Sequence, residues 1–168
     1  RSAEAAEPLP NLLIQAYMLL GKDWQHTSQA WQGQGFHVPP VMITVANRTE
    51  TAARIKYAFD HDKIADVPEL CDGEHTVQID SKIIKADGKD GEALRELVDT
   101  VGKQGKPGEQ IRNVISVGML SEGWDAKTVT HIMGLRAFSS QLLCEQVIGR
   151  GLRRRSYDVD EETGMFTP

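Results

Sequence analysis

Pro39-Pro40-Val41-Met42-Ile43-Thr44-Val45-Ala46-Asn47-Arg48-Thr49 is the stretch on which the fold class turns. The apolar run Val41 to Ala46 lies between two prolines and a polar break. Its length and flanking prolines predict a strand buried on both faces, as in a parallel sheet. Working outward, Leu12, Leu13, Ala16, Tyr17, Leu20 and Trp24 recur at the spacing of one helix face and predict a helix over 11–32, ended by Gly33 and Gly35. Downstream, Ala53, Ile55 and Phe59 return to helical spacing over 50–59. A second strand is predicted at 76–80, and a helix at 91–101 carries Leu94, Leu97, Val98 and Val101 on one side. A flexible loop follows at 102–108, then a third strand at 114–117 and a fourth short apolar segment at 131–135. Ser139 or Ser140 can cap a last helix bearing Leu142, Leu143, Val147 and Ile148. Strands alternating with helices imply crossover units, a parallel sheet and an α/β fold. Ligands of such open sheets bind beyond the carboxyl ends of the strands. The loops to inspect are therefore 46–49, 80–82, 118–125 and 135–139.

A chain of 168 residues reads as one domain, 11–168, after a small, acidic, proline-tipped linker at 1–10. With 40% hydrophobic residues and a mean hydropathy of -0.37, it has material for a core and the balance of a soluble protein. No stretch reaches the ~18 apolar residues of a membrane span, and no signal peptide opens the chain. Cys71 and Cys144 lie far apart without metal spacing, as expected of reduced cytoplasmic thiols. The chain opens without Met and stops in a polar stretch, so it reads as a fragment of a larger protein. The net charge of -5 argues against a freestanding, charge-driven nucleic-acid binder.

Chemistry concentrates in Gln146-Val147-Ile148-Gly149-Arg150-Gly151-Leu152-Arg153-Arg154. Gln146 and Arg150 are four apart and share a helix face, and Arg153 follows three later, on the helix or from a turn after it. One short element thus projects an amide and two guanidiniums together. Phosphoryl transfer needs such planar, permanently charged forks, because charge spreads over the γ-phosphoryl oxygens in the transition state. Taken alone, the arginines also suit a solvated basic helix end. A second element lies about twenty residues upstream: Val114-Ile115-Ser116-Val117 leads into Gly118-Met119-Leu120-Ser121-Glu122-Gly123-Trp124-Asp125. Gly123 lets a ligand approach the backbone, and Asp125 can accept hydrogen bonds from a ribose hydroxyl.

The order strand, Ser-Glu-Gly-Trp-Asp, strand, helix, Gln-x-x-Gly-Arg-x-x-Arg resembles motifs V and VI of superfamily 2 helicases. The fuller text is most similar to the restriction subunit of type III restriction enzymes and related DEAD/DEAH-type translocases. The precise motifs span about 116–155; Pro40 to Thr49 resembles motif IV. The resemblance implies the second RecA-like, three-layer motor domain of an ATP-dependent DNA helicase or translocase. In that reading Arg153 is the arginine finger and Arg150 a second γ-phosphate contact. Gln146 couples nucleotide to strand, and Gly123 with Asp125 meets the nucleotide sugar. Asn47, Arg48 and Thr49 touch the DNA backbone, with Ser81 and Lys82 as further candidates. Many relatives carry threonine where Val117 stands; Ser116, Ser121 or backbone amides would have to make that contact. The implied partners are an N-terminal RecA-like domain of the same polypeptide, DNA (duplex favoured), and a modification methyltransferase subunit.

ATP and Mg2+ are implied by the resemblance, not by ligands in this chain. No Gly-x-x-x-x-Gly-Lys-Ser/Thr phosphate loop occurs. In the superficial mimic Gly102-Lys-Gln-Gly-Lys-Pro-Gly108, Lys106 precedes Pro107 and the segment precedes a strand instead of following one. An Asp-Glu-x-His/Asp magnesium motif is also missing, so the fragment alone is expected not to hydrolyse ATP. The alternative is a non-catalytic α/β module that binds nucleic acid or protein on a motor scaffold. Asp80-Ser81-Lys82 as half of a nuclease site lacks a good second carboxylate, Asp66 and Glu69 being poor choices. Cys71 and His75 are two ligands, not a zinc site. Trp24 and Trp31 are assigned to the core of their helix, with stacking on bases as the alternative.

Overall fold

The computed structural model describes residues 5–80, 87–117 and 126–135. Its elements are α1 (Asn11–Gly33), β1 (Val41–Ala46), α2 (Thr49–Asp60), a 3-10 turn (Gly73–His75), β2 (Thr76–Ile79), α3 (Lys89–Asp99), β3 (Asn113–Val117) and β4 (Val129–Gly134). The helix expected after Ser139 or Ser140 lies outside the described residues. The strands form one sheet in the order β2-β3-β1-β4, with every pairing parallel. Helices flank both faces, so this is the expected α/β arrangement, consistent with a RecA-like fold.

β1 forms the middle of this arrangement because its side chains are usable on both faces. All six of its residues are buried. Met42 and Ala46 pack with Ile115 against Tyr17 and Trp24 of α1 and Ala52, Ile55 and Phe59 of α2. Val41 and Ile43 pack with Val77, Ile79, Val114 and Val129 against Val98 of α3, with Leu94 and Leu97 alongside. The period of two in a strand assigns the two sets to opposite faces.

α1 begins where the Pro10 carbonyl accepts the amides of Leu13 and Ile14. It ends where Gly35 takes a left-handed φ of 83° and the Phe36 amide returns to the Trp31 carbonyl. Polar contacts at and just ahead of the central strand help pin it to the sheet. The Tyr17 hydroxyl lies 2.7 Å from Thr44 Oγ1, and Trp24 Nε1 donates to the Pro40 carbonyl at 2.8 Å. Burial pushes the Tyr17 phenol well above its ordinary pKa, so it stays a neutral hydrogen-bonding group. The Tyr17 and Phe59 rings meet edge to face at 5.1 Å, joining α1 to α2. The segment read as a linker is fastened at its end: Leu9 is buried in the core, and the Arg54 guanidinium donates to the carbonyls of Glu7 and Pro8.

The 102–108 segment is a chain of structural turns at the amino edge of the sheet. Thr100 Oγ1 donates to the Glu96 carbonyl and accepts from the Gly108 amide at 2.8 Å, closing the loop on the end of α3. Gly102 and Gly105 both have left-handed φ, 77° and 74°. They differ in their surroundings. A Cβ on Gly102 would stand 2.2 Å from Thr128 Oγ1, whereas Gly105 faces open space. Gly105→Ala should therefore cost only the left-handed penalty of about 1–2 kcal/mol. Gly102→Ala should cost about 1–3 kcal/mol more through overpacking. Denaturant melts of the two variants check this, and equal losses would mean that Thr128 does not constrain the turn.

Candidate functional site

Parallel strands finish at a common edge, and the loops singled out in the sequence follow those ends. Ala46 and Val117, the last residues of β1 and β3, are register partners. On the other side of β1, the Leu135 amide donates to the Val45 carbonyl at 2.9 Å. From β1 the chain goes to β2 on one side of the sheet, and from β3 it goes to β4 on the other. Two hydrogen-bonded neighbours thus send their connections in opposite directions. That is a topological switch point, where open α/β sheets leave a crevice beyond their carboxyl ends.

Asn47, Arg48 and Thr49 follow the carboxyl end of β1, all three exposed. Arg48 takes an extended conformation (φ -143°, ψ 152°) and passes directly into α2. No side chain caps that helix. The amides of a first helical turn have no intrahelical partner, so this turn offers aligned donors and the positive end of the helix dipole beside a guanidinium. Such a turn suits an anionic oxygen, a phosphate above all. Glu50 in the first turn opposes it, so the local field is modest.

Ser81, Lys82, Gly123, Asp125, Gln146, Arg150 and Arg153 lie outside the described residues, as does Ser121. Ser116 does not fit the role of substitute contact for the missing threonine. It is 1% exposed, partnered, and paired in register with Val45 and Ile79 inside the sheet. Asp80, at the end of β2, is buried and partnered as well. Glu69, weighed as its companion carboxylate, sits at the other edge, its carbonyl taking the Arg112 guanidinium just ahead of β3 at 3.1 Å.

Cys71 and His75 have separate partners. The Cys71 thiol donates to the Ile64 carbonyl at 3.5 Å, and His75 Nδ1 lies 2.6 Å from Asp72 Oδ2. Among the described residues no group of three or more His, Cys, Asp or Glu could hold a metal ion. Burial pushes the Cys71 thiol up to about 11, reinforced by the charge of Asp62. The hydrogen bond with His75 lowers the Asp72 carboxyl below its ordinary value. That contact stabilises the fold above the carboxyl's unfolded pKa and is lost as pH falls through the folded one.

Two pairings leave no trace in local sequence. His131 of β4, 7% exposed, has Nε2 2.7 Å from Asp23 Oδ2 of α1 and Nδ1 2.6 Å from Thr130 Oγ1. Tyr17 and Thr44 are the other. Both belong to the layer under α1 and serve packing, with residues far apart in the chain.

No protein-family model, curated protein or solved structure matches the chain. Function therefore has to be read from the strand ends and the motifs that follow them.

The Cys71 environment gives a direct check on this part of the molecule. With the thiol near 11, its thiolate fraction at pH 8 should be ~100-fold below that of an ordinary cysteine. In a Cys144→Ser background, iodoacetamide should label Cys71 correspondingly slowly in the folded chain and at a normal rate in denaturant. Rapid labelling of the folded chain would contradict the burial described.

Proposed function

We propose that this chain is the second RecA-like motor domain of an ATP-dependent DNA helicase or translocase, similar to the restriction subunit of type III restriction enzymes. The observation that carries the reading is the pairing of Ala46 with Val117 at a switch point. It sets the exposed Asn47-Arg48-Thr49 turn beside the strand that leads into Ser121-Glu122-Gly123-Trp124-Asp125. In a motor, the element touching the nucleic-acid backbone has to neighbour the element touching nucleotide, so that a change at one moves the other. Adjacent strand ends meet that requirement.

ATP and Mg2+ fit this chain only in part. The 102–108 segment cannot cradle phosphates, since it lies at the amino edge and its Gly108 amide is already held by Thr100. The triphosphate and its metal would be held by a partner domain of the same polypeptide. When bound, they supply the phosphoryl group to be transferred to water. This chain's share is to bind and to polarise. Gly123 and Asp125 would meet the sugar, Gln146 would couple the nucleotide to the bound strand, Arg150 would make a second contact to the γ-phosphate, and Arg153 would stabilise charge on the transferred group. The Asn47–Thr49 turn would hold a phosphate of the DNA strand through backbone amides and Arg48.

The test uses the longer protein that carries both domains, assayed for ATP hydrolysis with and without duplex DNA. Arg153→Ala should lower the DNA-stimulated rate by ~10³-fold or more while nucleotide still binds. A variant that hydrolyses ATP at the normal rate would remove the arginine-finger assignment. Arg48→Ala should weaken DNA binding without changing sequence preference and reduce the salt slope by about 1. An unchanged slope would take Arg48 off the DNA path.

A further inference from the structure

Residues 5–9 run against α2 before the chain enters α1, and they are fastened there at few points. Leu9 is 6% exposed and shares a core cluster with Ala58 and Phe59 of α2. The Arg54 guanidinium donates from Nη2 to the Pro8 carbonyl and from Nε to the Glu7 carbonyl. Beside these contacts the segment is not packed down: a cavity of about 330 Å³ lies between Ala6 and Pro8 on its side and Tyr57 and Lys63 opposite. We infer that residues 5–9 are a coupling strap through which the position of the preceding chain reaches the Asn47-Arg48-Thr49 turn, with Arg54 as the positioning residue. The inference rests on the motor reading, which takes the preceding chain to be the partner domain.

The first ground is the place of Arg54 in α2. Ala52, Ile55, Ala58 and Phe59 hold the helix to the core by apolar contact. Among the described residues, its other polar side-chain contacts stay local: Lys56 meets Asp60, and His61 at the C-cap meets the Tyr57 carbonyl. Arg54 is the polar tie that leaves the helix for a distant part of the chain. Its planar fork serves two successive carbonyls. Such bonds respond to where the backbone lies and not to which side chains it carries.

The second ground is what stands at the start of α2. Residues 47–50 are all exposed, and no side chain caps the helix. Few contacts hold this turn, so it is the part of the element that moves most easily. Arg54 follows Thr49 by five positions, or roughly 7.5 Å along the axis. Over that distance a helix acts as a rigid rod, and a pull at Arg54 reorients the amides offered at the turn. A strap held by two bonds and one buried leucine can pull without being locked in place.

The experiment uses the longer protein that carries both domains. Duplex DNA affinity is measured by fluorescence anisotropy, with and without a non-hydrolysable ATP analogue. The two wild-type affinities should differ ~5-fold or more, the usual size of an allosteric coupling. Arg54→Ala should bring their ratio to within about twofold of one. A residue that only stabilised the fold would weaken both states alike and leave the ratio intact. Arg54→Lys, whose ammonium reaches one carbonyl, should give an intermediate ratio. A Gly-Ser-Gly-Ser insertion ahead of Ala5 adds slack with Arg54 untouched and should also abolish the difference. Circular dichroism verifies each variant; should Arg54→Ala not fold, the insertion decides. A ratio kept at its wild-type value in Arg54→Ala or after the insertion would overturn the strap, as would a wild-type ratio of one. Hydrolysis by Arg153→Ala is measured in parallel and reports on the motor reading by itself. If it falls as expected while the ratio stays, the strap alone is wrong; if it is normal, the motor reading fails and the strap with it.

Discussion

The molecule depends on one constraint, that β1 must be covered on both faces and hydrogen-bonded on both edges. Its residues are all buried, and it pairs with β3 on one side and β4 on the other. Burying Val41, Met42, Ile43 and Val45 contributes on the order of 1.5–3 kcal/mol each. A slip of one residue would exchange the two faces, driving Thr44 towards α3 and stranding Tyr17. The Tyr17–Thr44 bond thus does more than satisfy a hydroxyl. It makes one register of the central strand compatible with one position of α1.

That register also separates the two edges of the sheet. At the amino edge, close approaches fill the space: Gly102 against Thr128, Gly108 against the end of α3, Trp24 on Pro40, Arg112 on Glu69. At the carboxyl edge β1 runs into an exposed polar turn and an uncapped helix start. A parallel sheet makes this division unavoidable, because every strand presents its carbonyl end in the same direction and every following helix its amino end. Loops at one edge can change their chemistry without disturbing the core that the other edge closes.

The fold was legible because its signals are local. Val41 to Ala46 announces a doubly buried strand, and the helices at 11–33, 49–60 and 89–99 follow their apolar spacing to within two residues of expectation. β4 begins two residues earlier than the apolar run suggested, since Val129 pairs with Val41 and Thr130 is the extra residue at a register shift before His131 pairs with Met42. The site was legible by motif and only partly by physics. The Asn47-Arg48-Thr49 turn stands exposed where expected, but Ser116 could not be judged from sequence. Whether a strand residue looks into the sheet or out of its end depends on where the strand stops, and β3 runs through Val117. Trp31 was ambiguous for a related reason: helical periodicity places it near the core stripe, yet it is only half-buried and its ring meets Phe36 at 5.6 Å. The Asp23–His131 contact joins residues 108 positions apart and no local pattern could announce it.

The net charge of -5 constrains how a nucleic-acid contact could operate here. At the candidate turn Arg48 is followed two residues later by Glu50, so side-chain charge largely cancels within the first turn of α2. What remains is the orientation of the backbone amides, which is fixed by the fold and does not depend on a basic surplus. Amides position a phosphate without adding the counterion-release term that each cation brings. Under the proposed function this division has a use. A domain that must release and regain its grip on a strand in each cycle is better served by a few directional contacts than by a strong, salt-sensitive field. The concentrated positive charge of Arg150, Arg153, Arg154 and Arg155 can then be reserved for the nucleotide. The acidic balance, which argues against a freestanding, charge-driven nucleic-acid binder, is under the proposed function compatible with a motor domain that holds its track by backbone geometry.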